Sequence, residues 1–176
     1  MSIDCASTIQ DSHGTYGQPI LQVKQTVKAN TFSVTVNNMV WENITGLDVS
    51  ITPQSSTSKI LIMVTIGGWG ITQGGQRFGL ALKRDSTLIG LASTSGDRTR
   101  SSVATSGFED GTDGIENGAA FNFLDSPSST SSITYRTCVN AEGSGKTVVI
   151  NRGHNSSNQD ETFVTCSTIT AFEIGG

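Results

Sequence analysis

Apolar and polar residues alternate with a period of two over most of the chain. This period places successive side chains on opposite faces of an extended strand, whereas a helix repeats its apolar positions every three or four residues. No stretch shows a convincing helical repeat. The alternating segments are 21–27, 32–36, 47–51, 78–82, 121–123, 133–139, 148–150 and 162–174. The pattern therefore predicts an all-β protein.

Short turn-forming sequences rich in Gly, Pro, Asp and Ser separate these segments. Examples are 52–54, 73–75, 84–87, 125–128 and 142–146. Each is short enough for a hairpin or a corner between strands. About eight to ten strands joined by such turns are typical of antiparallel sandwiches and barrels. We predict an antiparallel two-sheet jelly roll.

The segment 60–66 departs from the alternation because both of its faces are apolar. A strand of this kind is covered on both sides, and a single sandwich covers only the inner side. The second cover comes from a loop, from the N-terminal segment or from another copy of the chain. We favour another copy, since soluble monomers rarely expose a large apolar patch. The predicted contacts between copies of a homotrimer are Ile60, Ile62, Val64 and Trp69.

Three further features remain open to two interpretations each. Arg98 and Arg100 share one face if their segment is extended, where they either pair with carboxylates of a neighbouring copy or point into solvent. Trp41 and Trp69 either offer a ring face to a ligand or cap the ends of the core. Cys138 and Cys166 fall in strand-like segments, either as neighbouring buried thiols or as a disulfide.

Residues 1–19 show no hydrophobic period. Such a segment is either disordered or an arm that becomes ordered on a neighbouring protein. We therefore divide the chain into an N-terminal arm, 1–19, and a β-sandwich domain, 20–176. The arm residues expected to contact a partner are Ile3, Cys5 and Ile9. A second aperiodic segment, 106–118, predicts an exposed acidic loop.

Composition excludes several classes of partner. The chain has 176 residues, a formal net charge of −4 and scattered cations, which disfavours nucleic acid. Its longest apolar run, 60–66, is far shorter than the roughly 20 residues that span a bilayer, so we expect no membrane insertion. The first residues also lack the apolar core of a signal peptide. We expect a soluble chain that is not exported.

Catalytic and metal-binding signatures are weak. The three cysteines lack the paired spacing of zinc sites, and the acids of 109–116 do not match the spacing of an EF-hand loop. His13 and His154 are the only histidines, and no GxSxG elbow accompanies them. We predict a protein that is not an enzyme and that has no cofactor and no metal.

Several motifs occur in order along residues 20–174. They are ILQVKQTVK (20–28), GLDVSITPQSSTSKILIMVTI (46–66), LKRDSTLIG (82–90), GDRTRSS (96–102), FLDSP (123–127), VVINR (148–152) and STITAFEI (167–174). With these motifs the chain resembles small, tail-fibre-like virion proteins of bacteriophages, including phages of cyanobacteria. The resemblance implies a TNF-like jelly roll that forms homotrimers, and a location on the virion.

Two functions follow as hypotheses. The first is a trimeric decoration or cement protein on the phage capsid, since no long fibre shaft precedes the domain and the short arm suits a capsid surface. Its partners are then phage capsid or tail proteins. The alternative is a tail-fibre or receptor-binding module whose loops recognise a host surface glycan or protein. A small glycan-active enzyme is a third hypothesis, which requires an essential carboxylate or His154.

Overall fold

The computed structural model describes residues 9–11, 14–16, 19–72, 76–106, 117–153 and 163–176. Every regular element in these ranges is a strand, and none of the described residues forms a helix long and apolar enough to cross a membrane. The strands are β1 (Ile9–Asp11), β2 (Gly14–Tyr16), β3 (Ile20–Lys28), β4 (Phe32–Val36), β5 (Glu42–Ile51), β6 (Lys59–Ile71), β7 (Arg77–Arg84), β8 (Thr87–Ile89), β9 (Val103–Ser106), β10 (Asn117–Asp125), β11 (Ile133–Ala141), β12 (Lys146–Ile150) and β13 (Ser167–Ile174).

Two antiparallel sheets form the sandwich. One has the order β3-β13-β6-β12-β4, with β10 also paired to β6, and the other has the order β5-β11-β7-β8, with β9 also paired to β7. The eight main strands pair in a nested order, in which the first pairs with the last and the second with the second-last. The pairs are β3 with β13, β5 with β11, β6 with β10 and β7 with β9. This nested pairing of a folded-over hairpin is the jelly-roll topology. The predicted all-β class with two antiparallel sheets is confirmed, and the strand pairing is consistent with the predicted jelly roll.

The core lies between the two sheets and follows the period-two alternation. On β6 the even-numbered residues 60–66 are at most 1% exposed, whereas Met63 and Thr65 are exposed. Facing them from the second sheet are Leu80 and Leu82 of β7. Trp69 is 1% exposed and packs edge-on against Phe78, with ring centroids 4.4 Å apart. Its indole is therefore part of the core.

One partly buried ion pair ties the two sheets together. Arg84 of β7 donates from Nη1 to both carboxylate oxygens of Asp125 on β10, at 3.0 Å each. Tyr135 of β11 donates to the same carboxylate at 2.8 Å. Burial raises the pKa of the Tyr135 hydroxyl, and its hydrogen bond to Asp125 raises it further. The phenol therefore stays a donor to the carboxylate over the whole physiological pH range.

A second buried carboxylate, Glu173 of β13, holds the connection between β5 and β6. Its Oε1 accepts a hydrogen bond from the backbone N–H of Gln54 at 2.6 Å, and its Oε2 accepts one from Nε2 of Gln22 at 2.5 Å. Burial alone would raise the pKa of Glu173, but these hydrogen bonds outweigh it and the pKa is lowered. The carboxylate is thus a charged anchor at one end of the sandwich.

The N-terminal strands form a separate unit. Among the described strands, β1 and β2 pair only with each other, as a hairpin that precedes β3. The boundary of the arm after residue 19 stays a prediction. The acidic loop of 109–116 and both histidines lie outside the described residues.

Candidate assembly surface

The outward side of the six-stranded sheet carries a broad uncharged surface. Twelve side chains from four neighbouring strands share this side, because residues that face each other across an antiparallel pair project to the same face. In rows across the sheet they are Val27, Thr168, Thr65 and Ala120; Gln25, Thr170, Met63 and Asn122; and Val23, Phe172, Leu61 and Leu124. We call this set the β3–β13–β6–β10 face.

The apolar members of this face are substantially accessible. Val23, Val27, Met63 and Leu124 are 46–54% exposed, and Leu61 and Phe172 are half-buried. The polar members are threonines and amides, and Gln25 donates from Nε2 to Oγ1 of Thr170 at 2.8 Å. A solvent-facing sheet surface usually carries charged side chains, and this one has none at twelve positions. This uncharged, partly apolar composition makes the face a candidate contact surface.

The size of the face matches the lower end of the range for the largest apolar patch on a typical monomer. Four strands about 4.8 Å apart, with five residues of about 3.3 Å each, give a flat area of roughly 300 Å². The largest apolar patch on a typical monomer is about 300–600 Å² and is often functional. A standard interface buries about 800 Å² per partner, so neighbouring surface has to contribute as well. The adjoining edge strand β3 offers Ile20, which is 61% exposed.

Four residues of the predicted trimer interface face the opposite way. Ile60, Ile62, Val64 and Trp69 are 0–1% exposed within the single chain and belong to its own core. They have no surface left with which to contact another copy. The side chains on both faces of β6 are mainly apolar. The predicted contacts lie on the face that the second sheet covers. The series left uncovered contains Leu61, Met63 and Thr65, on the face defined above.

The two arginines of the prediction lie on the outside of the chain, in the segment that leads to β9 of the five-stranded sheet. Arg98 donates from Nη1 to the carbonyl and the hydroxyl oxygen of Ser95, at 3.3 and 3.2 Å. Arg100 donates from Nε to the carbonyl oxygen of Ala92 at 2.5 Å. Both guanidiniums are thus engaged locally, and their contact with a neighbouring copy stays a prediction.

The predicted capsid contacts of the arm are mostly not described. Ile3 and Cys5 lie outside the described residues, and Ile9 is the first residue of β1, where its backbone pairs with Tyr16. The contact of all three with a capsid stays a prediction.

Comparison with known proteins finds only a distant likeness in fold. No protein-family model matches the sequence, and no curated protein matches it. The fold is similar to a chain in the structure of infectious bursal disease virus strain Gt, with 17% identity and a TM-score of 0.41. A chain in the structure of strain Gx has 14% identity and a TM-score of 0.38. A chain in the VP2 subviral particle of the same virus has 13% identity and a TM-score of 0.40. The match covers 93–94% of this chain but only 41–45% of those chains.

The cysteines contribute neither a disulfide nor a metal site in the described part of the chain. Cys138 is buried and Cys166 is exposed, and both thiols are free, so the expected pair of neighbouring buried thiols is wrong. Burial raises the pKa of Cys138 to about 12. No group of three or more His, Cys, Asp or Glu side chains that could hold a metal ion occurs in the described ranges.

Sequence reasoning singled out β6 as apolar on both faces and did not identify the β3–β13–β6–β10 face. The face combines residues from four strands that are far apart in sequence, and their adjacency depends on the jelly-roll pairing. The sequence of β3 contained one indication of this face. Val23, Gln25 and Val27 lie on one side of the strand and are uncharged, whereas Lys24 and Lys28 alternate with them.

Proposed function

We propose that the chain is a non-enzymatic structural protein of a bacteriophage virion, where it forms a homotrimer and decorates or cements the capsid surface. The observation that carries the assembly part is the β3–β13–β6–β10 face, which is accessible, largely apolar and free of charge over twelve positions. The virion part is supported by the resemblance of the ordered sequence motifs in residues 20–174 to small phage virion proteins.

A second copy of the same chain is the occupant that the chemistry of the face favours. Each copy carries a net charge of −4, so two copies repel each other weakly at long range. Contact through an uncharged face buries no unpaired charge, which would be costly, and adds no repulsion at short range. A charged capsid partner would instead leave its own charges without counterparts on this face.

A closed trimer needs each copy to offer two different surfaces, because the contacts around a threefold axis are heterologous. The β3–β13–β6–β10 face is the first. The second is the free edge of β3, which pairs only with β13 among the described strands and carries the exposed Ile20. Edge and face adjoin each other, so one copy can present both to its two neighbours.

Sedimentation velocity of the purified full chain at micromolar concentration tests the assembly. A species with three times the chain mass of 18.5 kDa is expected. A single-copy species that persists up to high micromolar concentration would contradict the proposal, and a stable dimer would contradict the threefold arrangement.

Immunogold labelling of virions with an antibody against the purified protein tests its location. Label distributed over the capsid shell supports decoration or cementing. Label confined to the tail tip supports the receptor-binding alternative instead, and virions without label would contradict both.

A further inference from the structure

A cavity of about 460 Å³ opens on the outer side of the five-stranded sheet, away from the β3–β13–β6–β10 face. Gly79 of β7 and Asn140 of β11, which face each other across the two strands, line it from the sheet. The segment 97–101 and the exposed Met39 form its walls. Small-molecule sites typically have volumes of about 300–1,000 Å³, so the cavity has the size of a ligand site.

Gly79 lets the segment that covers β7 pack closely on the strand. A Cβ atom at that position would lie 3.2 Å from Cβ of Ser101 and 3.4 Å from Oδ1 of Asn140. Any side chain there would have to displace Ser101 or Asn140, both of which line the cavity.

Asn140 is a buried polar group without its full set of partners. The residue is 3% exposed, and its amide nitrogen has no hydrogen-bond partner among the described residues. Buried donors in folded proteins are nearly always paired, and an exception calls for an explanation such as a missing ligand. The unpaired amide at the base of the cavity is the observation that points to a ligand with oxygen acceptors.

Two guanidiniums add further donors at the rim. Arg77 bonds Glu142 at 3.1 Å and Arg98 bonds Ser95, in both cases through Nη1. A guanidinium has five N–H donors, so Nε and Nη2 of both arginines are without a bond to any described residue. Paired N–H groups of arginine match the two oxygens of a carboxylate.

The remaining lining is suited to hydroxyl groups and to a hydrocarbon face. Asp97 supplies a carboxylate acceptor, and Thr99 and Ser101 supply hydroxyls. Met39 supplies an apolar surface and is held at the rim by a left-handed backbone with φ of 60°. Asp97 would repel a doubly charged phosphate more strongly than a singly charged carboxylate, and a neutral sugar would leave Arg98 without a counter-charge among the described residues.

We propose that this cavity binds an acidic monosaccharide unit, a hexuronate, with its carboxylate on Arg98 and its hydroxyls on Asn140, Ser101 and Asp97. The sugar ring then lies against Met39. The proposal does not depend on the assembly proposal, because the cavity and the β3–β13–β6–β10 face lie on opposite sides of the sandwich.

Isothermal titration of the full chain with glucuronate and galacturonate is the direct test. At least one uronate is expected to bind at least tenfold more tightly than glucose and than glutarate, which lacks the ring. Absence of uronate binding at millimolar concentration would overturn the proposal. Equal binding of uronate and glutarate would also overturn it, because a carboxylate alone would then account for the affinity.

Matched arginine variants locate the site. Arg98→Ala is expected to weaken uronate binding at least tenfold and to leave the thermal midpoint unchanged. Arg100→Ala is the control, since Arg100 lies in the same segment but does not line the cavity. An equal loss of affinity in both variants would indicate attraction by general surface charge and would overturn the assignment.

Asn140→Asp provides a second, independent variant. It keeps the shape of the side chain and replaces the amide donor with a carboxylate that repels the ligand. We expect it to abolish uronate binding while the near-ultraviolet circular dichroism of the folded chain is kept. Unchanged uronate affinity in this variant would exclude Asn140 from the site and overturn the geometry proposed here.

Discussion

Leu61 of β6 and Phe172 of β13 face each other across neighbouring strands on the outward side of the six-stranded sheet. Cross-strand pairs of an aromatic and an aliphatic residue stabilise a sheet by about 0.2–1 kcal/mol relative to alanine pairs. This pair lies in a row with Val23 and Leu124, so it extends into an apolar band across four strands. In the proposed assembly, this band is the part of the surface on which association between copies depends most.

A charge in the middle of this face should prevent assembly. Met63→Lys places an ammonium group among uncharged side chains, and burying it without a partner between copies is strongly unfavourable. We expect the trimer to dissociate to single copies at concentrations where the unmodified chain is assembled, with sedimentation velocity as the measurement. Thr45→Lys is the matched control, since Thr45 is an exposed strand residue of the other sheet. Dissociation of both variants, or of neither, would show that the face is not the contact.

Removal of the Asp125 carboxylate should lower the stability of the folded chain. Asp125→Ala leaves the Arg84 guanidinium and the Tyr135 hydroxyl without their acceptor. Loss of one partner from such a buried cluster typically costs about 2–4 kcal/mol of unfolding free energy. Urea titration followed by circular dichroism measures this difference.

Glu142→Ala is the comparison variant for that measurement. It breaks the ion pair with Arg77, in which both side chains are exposed, and exposed pairs contribute less than about 1 kcal/mol. If Asp125→Ala lowered the unfolding free energy by no more than Glu142→Ala does, the cross-sheet cluster would not be a major source of stability.

The two described cysteines should differ sharply in reactivity. Cys138 is buried, donates from Sγ to the carbonyl oxygen of Ala81 at 3.4 Å, and has its pKa raised by burial to about 12. The thiolate is the reactive form, so Cys138 should resist a maleimide at pH 8 while the exposed Cys166 reacts. Peptide mapping by mass spectrometry distinguishes the sites, and denaturant should make Cys138 reactive. Equal labelling of both in the native chain would contradict the buried position of Cys138.

Stability should fall in acid in a way that depends on Glu173. Its pKa in the folded chain lies below the ordinary value of 4.5, so its contribution is complete above 4.5 and is lost as the pH falls through the lower, folded-state pKa. Glu173→Gln is expected to destabilise the chain at pH 7 by about 1–3 kcal/mol, because the charged acceptor of two hydrogen bonds is removed. The difference from the unmodified chain should shrink as the pH falls below 4.5. A difference that stays constant down to pH 3 would contradict a charged Glu173 in the folded state.

The sequence was sufficient to predict the long sandwich strands and the class of fold, but not the short strands β1, β2, β8 and β9. Alternation marks which residues share a face of one strand, and the long strands β3, β5, β7, β11 and β13 follow it, whereas β6 is apolar on both faces. It contains no information on which strands become neighbours, so the nested pairing of β3 with β13 and of β6 with β10 required the structure. The fold class can be predicted from the local pattern of apolar and polar residues, whereas the topology depends on pairing between strands that are distant in sequence.

The same limit explains the error about β6. Even-numbered residues 60–66 are Ile or Val and odd-numbered residues include Leu61 and Met63, so hydrophobicity alone did not say which series faces the core. The β-branched series proved to be the buried one, and Thr65 in the other series was the only hint of the outward side. The cavity was missed for a related reason, since Gly79 and Asn140 become neighbours only through the pairing of β7 with β11.

The pairing of the first and last sandwich strands brings the two ends of the domain together. The backbone N–H of Gly175 donates to the carbonyl oxygen of Pro19 at 2.9 Å. A short linker could therefore join residue 176 to residue 19, and new termini could be opened in an exposed turn such as the one around Asp85, giving a circular permutant of the same sandwich. A reporter protein fused after residue 176 would therefore lie close to the N-terminal segment.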